Sequence, residues 1–313
     1  MNKLNNIRNI AIIGLGQIGL YLYNELKLKK KEIEIKTGKK INIVAISAKN
    51  KTKKRRFKID KKIFYSNPLK IFNEKKVDIL FECIGQSDGI SKKIVEQALK
   101  NKVNVITPNK ALIAKHGDTL ARLAEKNNVN LEFEASVAGG IPILKTIKEG
   151  LATNKIKKVY GILNGTSNFI LTNMLNTNSK FEKILEKAQE LGYAEADPSL
   201  DINGWDAGHK AIILGWLSYG HWLRSEEVSV EGIETISLDD VSFANDLGYE
   251  IKLLGVIRQS ENDHRIEVRV SPTLIPRGHI LSSVDGVFNA IAVHGDVVGE
   301  TLFYGSGAGQ DAT

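Results

Sequence analysis

The sequence predicts an α/β protein with a doubly wound parallel sheet at its N-terminal end and a second, α+β domain after it. Three observations support this prediction. A short apolar segment near the N-terminus runs into a glycine-rich turn, strand and helix patterns then alternate as far as Phe133, and strand-like segments recur between residues 265 and 304. Such alternation is typical of parallel sheets covered by helices. A chain of 313 residues is also long enough for two hydrophobic cores.

The first predicted strand leads directly into the glycine-rich turn. Residues 9–13 form a short apolar run suited to a buried strand, and the apolar spacing after residue 19 is helix-like. Between them stands the G-x-G-x-x-G pattern of the Rossmann-type dinucleotide-binding fold, whose three glycines allow a tight turn, backbone approach to a pyrophosphate, and helix packing. The alternative is an ordinary glycine turn. The predicted cofactor contacts in this turn are Gly14, Gly16, Gln17, Ile18 and Gly19.

Further strands and helices follow in alternation. Strand patterns cover residues 41–46, 78–83, 103–106 and 129–133, and helix patterns cover residues 91–100 and 111–126. Ser91 is the candidate N-cap of the first of these helices, because a serine side chain can satisfy free N–H groups at a helix start. The alternation places the end of the first domain near residue 135.

The loop after the second strand bears on the choice of cofactor. An NAD site usually has Asp or Glu here, bonded to the ribose 2′-hydroxyl. This loop instead reads Ser-Ala-Lys-Asn-Lys-Thr-Lys-Lys-Arg-Arg from Ser47, and no acid appears before Asp60. A basic loop that includes Lys49 would accept a 2′-phosphate, so NADP is preferred and NAD is the alternative. The run could also be an ordinary solvated surface, and sparse aromatic residues disfavour a nucleic-acid site.

Composition narrows the class of protein further. The net charge of +8 is uneven, because residues 1–210 hold 38 basic and 21 acidic side chains (+17) and the remainder carries −9. A basic cofactor domain joined to an acidic domain would explain this, and so would a chain that joins two related sources near residue 205. A lysine-rich solvated surface accounts for the charge without nucleic acid.

Compartment and membrane association can also be predicted. No apolar run reaches the length of a membrane span, and residues 1–4 lead into the first strand without a signal-peptide pattern. The single cysteine, Cys83, excludes an internal disulfide, and its place in a predicted strand favours a core role over a nucleophilic one. We therefore expect a cytoplasmic protein that binds neither membranes nor nucleic acid.

A dense group of acids, amides and glycines lies between residues 164 and 210. Asp206 and Lys210 are four residues apart, so on a helix they share one face. Three more carboxylates, on the glycine- and proline-marked connection before that helix, are Glu195, Asp197 and Asp201. Carboxylates gathered around one lysine suit a small, polar, amine-bearing substrate and a proton transfer.

Two loops of the first half are further candidates. Thr107-Pro108-Asn109-Lys110 follows a predicted strand and therefore lies at the carboxyl edge of the sheet, where ligands bind in open α/β folds. Lys110 could be a plain surface residue, or it could converge with Lys210 on one cleft, where a second cation lowers a lysine pKa. The glycine turn at residues 134–142 is either a hinge or a segment whose carbonyls hold a monovalent cation.

Together these segments resemble homoserine dehydrogenase, in the order found in that family and over almost the whole chain. The matching pieces are residues 14–19, 107–112, 134–140, 161–168, 192–198 and 204–210. The resemblance implies NAD(P)-dependent interconversion of L-homoserine and L-aspartate 4-semialdehyde, in threonine, methionine and isoleucine biosynthesis. Lysine-assisted proton transfer would accompany hydride transfer.

The resemblance also implies roles for individual residues. Lys110 and Lys210 match the active-site lysines; spacing does not settle which one transfers the proton, and Lys110 is preferred, with Lys210 and Asp206 positioning the substrate. The expected substrate contacts are Glu195, Asp201, Asn164, Gly165, Thr166 and Tyr193. Further expected cofactor contacts are Lys49, Gly85, Thr107, Pro108, Lys110 and Gly307. The expected ligands of a Na⁺ or K⁺ ion are Glu134, Val137 and Gly139.

Domain organisation and assembly follow from the same resemblance. We expect a dinucleotide-binding domain over residues 1–135, rejoined by about residues 303–313, and a substrate-binding and dimerisation domain over residues 136–302. A homodimer or homotetramer is expected. In the family the final glycine loop leads into a helix that this chain does not reach. The alternative interpretation is therefore a catalytically impaired, truncated or spliced NAD(P)-binding relative.

Overall fold

The computed structural model describes residues 6–260 and 265–308, in two compact units. One unit ends at Ser136 and the other begins at Val137. Residues 303–306 belong to a strand of the second unit. Residues 309–313, which we expected to rejoin the first domain, and residues 1–4 lie outside the described ranges.

The first unit is built on a six-stranded sheet in the order β3-β2-β1-β4-β5-β6, in which every described pairing is parallel. Its strands are β1 (Ile7–Ile13), β2 (Lys40–Ser47), β3 (Phe64–Tyr65), β4 (Ile79–Glu82), β5 (Asn104–Ile106) and β6 (Leu131–Glu132). Its helices are α1 (Gln17–Leu28), α2 (Lys30–Thr37), α3 (Ile71–Glu74), α4 (Ile90–Lys100) and α5 (Lys110–Lys126). The predicted doubly wound parallel sheet is confirmed.

The core of this unit explains why its strands carry so few polar residues. Ile10 and Ile12 of β1 are buried, together with Ile46 of β2 and Tyr23 of α1. A strand covered on both faces has no solvent side, so its sequence is continuously apolar instead of alternating. Glu82, at the end of β4, is nevertheless a fully buried carboxylate within this sheet.

The predicted cap of α4 is wrong. The helix begins at Ile90 with Gly89 in the N-cap position, and Gly89 has a positive φ of 65°. Ser91 already lies inside the first turn, where it is fully buried and donates a hydrogen bond to Glu82. The Ser91 hydroxyl therefore donates to the buried Glu82 carboxylate and does not cap the helix.

The second unit contains a six-stranded mixed sheet in the order β12-β11-β7-β9-β10-β8. Neighbouring strands run antiparallel, except that β8 and β10 are parallel. Its strands are β7 (Ile156–Ile162), β8 (Ser229–Val230), β9 (Tyr249–Gln259), β10 (Ile266–Pro276), β11 (Phe288–Gly295) and β12 (Gly299–Ser306). Its helices are α6 (Ile143–Lys145), α7 (Gly165–Thr177), α8 (Phe181–Glu190), α9 (Ser199–Ile202), α10 (Trp205–Tyr219) and α11 (Leu238–Asp246). The predicted α+β class of this domain is confirmed.

Among the residues that the structure describes, no helix combines the length and the apolar character that crossing a membrane requires. In the apolar helix α10, residues Ala211, Ile212, Ile213 and Leu214 are fully buried.

Candidate active site

The glycine-rich turn lies at the carboxyl end of β1 and leads into α1. Gly14 has a φ of 94°, and a Cβ there would collide with the carbonyl oxygen of Cys83. A Cβ on Gly19 would collide with the carbonyl oxygen of Gly14, so this glycine lets the helix pack closely against the turn. A Cβ on Gly16 would meet nothing within 4 Å. Contacts within the protein therefore require glycine at positions 14 and 19, whereas Gly16 faces open space.

The loop after β5 is held against the end of β4 by buried hydrogen bonds. The Thr107 hydroxyl donates to Glu82 Oε2 at 2.6 Å, and the Asn109 amide donates to the same oxygen at 3.2 Å. Asn109 also caps α5, because its Oδ1 accepts from the backbone N–H of Leu112. Lys110 is the first residue of α5 and is half-buried. Its helix therefore starts from a rigidly held residue.

Gly85 and Cys83 lie in the turn that follows β4. Gly85 has a φ of 88° and is exposed, and a Cβ there would meet no neighbour. Desolvation raises the pKa of the Cys83 thiol to about 12, and the adjacent Glu82 carboxylate adds to this effect. A thiol with so high a pKa is a poor nucleophile at neutral pH.

The basic loop after β2 folds around Asn50. The Asn50 side chain accepts hydrogen bonds from the backbone N–H groups of Thr52 and Lys53, which closes a turn. Arg55 bends back and donates to the carbonyl of Asn50 at 2.6 Å. Lys49 precedes this turn and is exposed. Arg55 is therefore occupied within the loop, and Lys49 projects a charge from it.

In the second unit, Lys210 and Asp206 form a buried ion pair on α10. Lys210 Nζ lies 2.7 Å from Asp206 Oδ2, and both side chains are less than a tenth exposed. Lys210 also donates to the backbone carbonyl of Leu163 at 2.6 Å, just beyond the end of β7. The i,i+4 spacing thus produces a contact, and the strand end fixes the direction in which the lysine points.

Asn164 joins two of the carboxylates. Its amide Nδ2 donates to Asp206 Oδ2 at 2.8 Å and to Asp201 Oδ1 at 2.7 Å. Its Oδ1 accepts from the backbone N–H of Ser167, so the same side chain caps α7. A cap that also bridges two carboxylates couples the start of α7 to α9 and α10.

The remaining substrate-side candidates lie around this group. A Cβ on Gly165 would collide with the carbonyl oxygen of Val287, and the Thr166 hydroxyl donates to the carbonyl of Tyr193 at 2.8 Å. The Tyr193 ring packs 5.0 Å from that of Phe169, between centroids. Glu195 is exposed. Gly165, Thr166 and Tyr193 therefore support the start of α7, whereas the structure places Glu195 at the surface.

Asp197 stabilises the chain just before α9. Its Oδ1 accepts hydrogen bonds from the hydroxyl and the backbone N–H of Ser199, the first residue of α9. The bond from the hydroxyl contributes most to lowering the pKa of Asp197, followed by the bond from the backbone. This carboxylate therefore closes the turn into α9.

The segment predicted to bind a cation is tied to the end of β12. The N–H groups of Gly139 and Gly140 donate to the carbonyls of Gly307 and Ser306, both at 3.0 Å. Val137 is fully buried, and Glu134 opens a short 3₁₀ turn in the first unit. Within the described ranges, no group of three or more His, Cys, Asp or Glu side chains is arranged to hold a metal ion.

Comparison with known proteins decides the family. The family model described as "Homoserine dehydrogenase" matches residues 142–313, and that described as "Homoserine dehydrogenase, NAD binding domain" matches residues 14–134. The chain belongs to the homoserine dehydrogenase family. The homoserine dehydrogenase of Neisseria gonorrhoeae is 45% identical over 301 residues, which are 96% of this chain and 68% of that relative.

Solved structures of homoserine dehydrogenases have the same fold. The enzyme from Thiobacillus denitrificans matches with a TM-score of 0.90 and 40% identity, over 98% of this chain and 70% of that one. A hyperthermophilic archaeal homoserine dehydrogenase in complex with NADPH matches with a TM-score of 0.81 and 28% identity, over 97% and 92% of the two chains.

Family membership defines the reaction. The chain is an oxidoreductase that uses a nicotinamide cofactor and interconverts L-homoserine and L-aspartate 4-semialdehyde, a step of amino-acid biosynthesis. The comparisons support this interpretation and not the impaired relative. The glycine turn fits the cofactor of a homoserine dehydrogenase, because open space faces Gly16 at the N-terminus of α1, where a pyrophosphate would approach.

Glu82 is the residue that sequence reasoning missed. The sequence pattern places it in a strand and indicates no role for it, yet its carboxylate holds two loops that carry predicted cofactor contacts. The available signal was a carboxylate in the last position of an otherwise apolar strand, just ahead of a glycine turn. Because buried charges need several hydrogen-bond partners, such a residue indicates an organised polar cluster.

Proposed function

We propose that Lys110 transfers the proton and that Lys210 and Asp206 position the substrate. The nicotinamide cofactor, when bound, supplies or accepts the hydride. In the reductive direction Lys110 donates a proton to the aldehyde oxygen of the semialdehyde, and in the reverse direction it removes the hydroxyl proton of homoserine. The capped, half-buried start of α5 supports this role, because it fixes the backbone from which Lys110 extends.

The observation that carries the proposal is the buried network of Lys210, Asp206, Asn164 and Asp201. Asp206 is held by Lys210 and Asn164, so its orientation is set before a ligand arrives. Asp201 accepts from Asn164 and is partly buried, and we assign its carboxylate, together with that of Asp206, to the substrate ammonium group. Glu195, at the surface, is proposed to join the substrate when it binds.

NADP is the proposed physiological cofactor. The exposed Lys49, in the loop after β2, supports this preference. Its positive charge would favour a 2′-phosphate, and the loop has no Asp or Glu before Asp60 that would repel that phosphate. The archaeal relative solved in complex with NADPH is consistent with it. The remaining proposed contacts are Gly14, Gly16, Gln17, Ile18, Gly19, Gly85, Thr107, Pro108 and Gly307.

A monovalent cation that supports activity is proposed at Glu134, Val137 and Gly139. The hydrogen bonds from Gly139 and Gly140 to the end of β12 support a fixed backbone in this segment. Turnover measured in sodium, potassium and choline chloride at equal ionic strength tests the ion. Equal rates in all three salts would exclude a functional requirement.

Assembly is proposed from the surface of the second unit, and a cytoplasmic location from the sequence features described above. Phe288 and Tyr304, on the neighbouring strands β11 and β12, stack at 5.1 Å between ring centroids and are 40% and 54% exposed. Exposed aromatic pairs of this kind are typical of interfaces. We propose a cytoplasmic homodimer or homotetramer in which residues 1–135 bind the dinucleotide and residues 136–302 bind the substrate and form the interface. Light scattering of the purified protein gives its mass, and a monomer would contradict the proposal.

One assay tests the reaction and the cofactor preference together. The 313-residue chain is mixed with NADPH or NADH at equal concentrations, and oxidation is followed with and without L-aspartate 4-semialdehyde. We expect oxidation that requires the semialdehyde and is faster with NADPH. A folded protein that binds NADPH but shows no turnover would contradict the proposed residue roles, and faster oxidation of NADH would contradict the cofactor preference alone.

A further inference from the structure

Glu82 is a fully buried carboxylate at the carboxyl end of β4. Its two oxygens accept four hydrogen bonds. Oε1 accepts from the backbone N–H of Ile84 at 2.8 Å and from the Ser91 hydroxyl at 3.0 Å. Oε2 accepts from the Thr107 hydroxyl at 2.6 Å and from the Asn109 amide at 3.2 Å. All four donors are neutral, so the charge is stabilised by hydrogen bonds alone.

These donors come from three different segments of the chain. Ile84 belongs to the turn after β4, Ser91 to α4, and Thr107 and Asn109 to the loop before α5. Asn109 adds a second link, because its Nδ2 also donates to the carbonyl of Gln86 at 2.9 Å. The turn at residues 84–86 and the loop at residues 107–109 are therefore fastened to one carboxylate and to each other.

A neutral amide could not replace this carboxylate. In a glutamine side chain one oxygen becomes an NH₂ group, which would face either Asn109 Nδ2 or the N–H of Ile84. The N–H of Ile84 can only donate, and Asn109 would present its oxygen only by giving up its bonds with Gln86 and Leu112, whereas the hydroxyls of Ser91 and Thr107 can accept. Either orientation of the amide therefore sets two donors against each other and releases one of the two loops.

We propose that Glu82 is a positioning residue that holds Lys110 and the cofactor-binding loops in their working geometry. This inference rests on the role proposed above for Lys110. Glu82 touches neither substrate nor cofactor in this assignment; it acts through Thr107 and Asn109, which precede Lys110, and through the turn that contains Gly85. Its loss should weaken dinucleotide binding and slow turnover while the unit stays folded.

The test compares Glu82→Gln with Asp78→Asn. Asp78 precedes the same strand at the opposite edge of the sheet, where its Oδ2 accepts from the backbone N–H of Asn9 at 2.7 Å. It is thus a carboxylate with a backbone partner, remote from both loops in the sheet. NADPH affinity is measured by fluorescence titration without substrate, turnover at saturating substrate, and folding by urea unfolding.

We expect Glu82→Gln to weaken NADPH binding at least tenfold and to lower kcat at least tenfold under conditions where urea curves show it folded. Asp78→Asn should change both by less than twofold. NADPH affinity and kcat within twofold of the parent in Glu82→Gln, or equal losses in both variants, would overturn the inference. If Glu82→Gln does not fold, Ser91→Ala removes one donor and should weaken NADPH binding about threefold; unchanged binding there also overturns it.

A double variant separates this inference from the proposed function. In a Lys110→Ala background at saturating NADPH, adding Glu82→Gln should lower kcat by less than threefold further, because the side chain through which Glu82 affects the chemical step is gone. A full additional tenfold loss would show that Glu82 does not act through Lys110. If Lys110→Ala alone keeps its turnover, the assigned role of Lys110 fails, and the NADPH titration of Glu82→Gln still decides whether Glu82 positions the binding loops.

Discussion

Glu82 in the first unit and Lys210 in the second are both buried charges beside the end of a strand, yet their charges are balanced differently. Glu82 accepts four hydrogen bonds from neutral groups in three chain segments. Lys210 has an opposite charge four residues earlier on its own helix and one backbone acceptor. A network of neutral donors weakens gradually when one partner is lost. When one partner of a buried ion pair is removed, the other charge stays buried without an opposite charge beside it.

The largest expected effect is that of Lys210→Met. It leaves the Asp206 carboxylate buried without the opposite charge of Lys210, so we expect a loss of about 3–5 kcal/mol in the free energy of unfolding. Misplaced substrate should lower kcat by about 100-fold. Urea unfolding and semialdehyde-dependent NADPH oxidation measure the two effects.

Two further variants sharpen this test. Lys183→Met removes an exposed lysine on α8 and should leave stability and rate unchanged. Lys210→Met combined with Asp206→Leu removes both charges, so it should regain stability but not turnover. Parental kcat in Lys210→Met would show that the buried pair is structural only.

A second buried lysine, Lys252, tests whether removing the lysine of any ion pair in this unit has the same effect on stability and turnover. Lys252 is 1% exposed and donates to the carbonyl of Val284 at 2.9 Å and to Asp285 Oδ1 at 3.2 Å, with Glu250 Oε2 3.4 Å away. Because Asp285 is largely exposed and can be hydrated, Lys252→Met should cost only about 2–3 kcal/mol in urea unfolding. The KM for NADPH should stay within twofold. A rate loss as large as that of Lys210→Met would contradict the distinction between the two lysines.

The glycine turn allows a matched pair of alanine substitutions in the first unit. Gly19→Ala forces a Cβ against the Gly14 carbonyl and should cost about 1–3 kcal/mol of stability. Gly16→Ala places a Cβ in open space at a φ of −76°, so stability should change by less than about 0.5 kcal/mol. NADPH affinity should nevertheless fall in both variants. Equal stability losses, or full NADPH affinity in Gly16→Ala, would refute the ligand-facing assignment of Gly16.

The smallest expected effect is that of Lys49→Glu. An exposed charge acts through solvent, so the ratio of kcat/KM values for NADPH and NADH should fall only about three- to tenfold. Lys51→Glu, on the same loop, is the comparison variant and should have a weaker effect if Lys49 is the phosphate contact. An unchanged ratio in both variants would remove the basic loop from cofactor selection.

The sheet of the first unit could be predicted because its signal is local. Buried parallel strands are continuously apolar, and the glycine spacing follows one of them directly. The contact between Asp206 and Lys210 could also be predicted, since helix geometry brings residues four apart together. Asn164 bridging Asp201 and Asp206 depends on contacts over 37 and 42 residues, and Glu82 meets Asn109 over 27. No spacing rule reports such contacts, so these links required the structure.

The change from a lysine-rich to a lysine-poor composition near residue 210 does not coincide with the boundary between the units. It falls inside α10, and β7 from the lysine-rich side lies between β9 and β11 from the other. The net charges of the two units, +16 over residues 1–136 and −8 over residues 137–313, fit a basic domain joined to an acidic one, whereas the loss of lysine begins later, inside the second unit. Whatever history produced the change, the two compositional halves are not exchangeable modules. A segment starting at residue 211 would carry β9 and β11 without the strand that joins them, so a recombination event here can survive only between parents that already share this sheet.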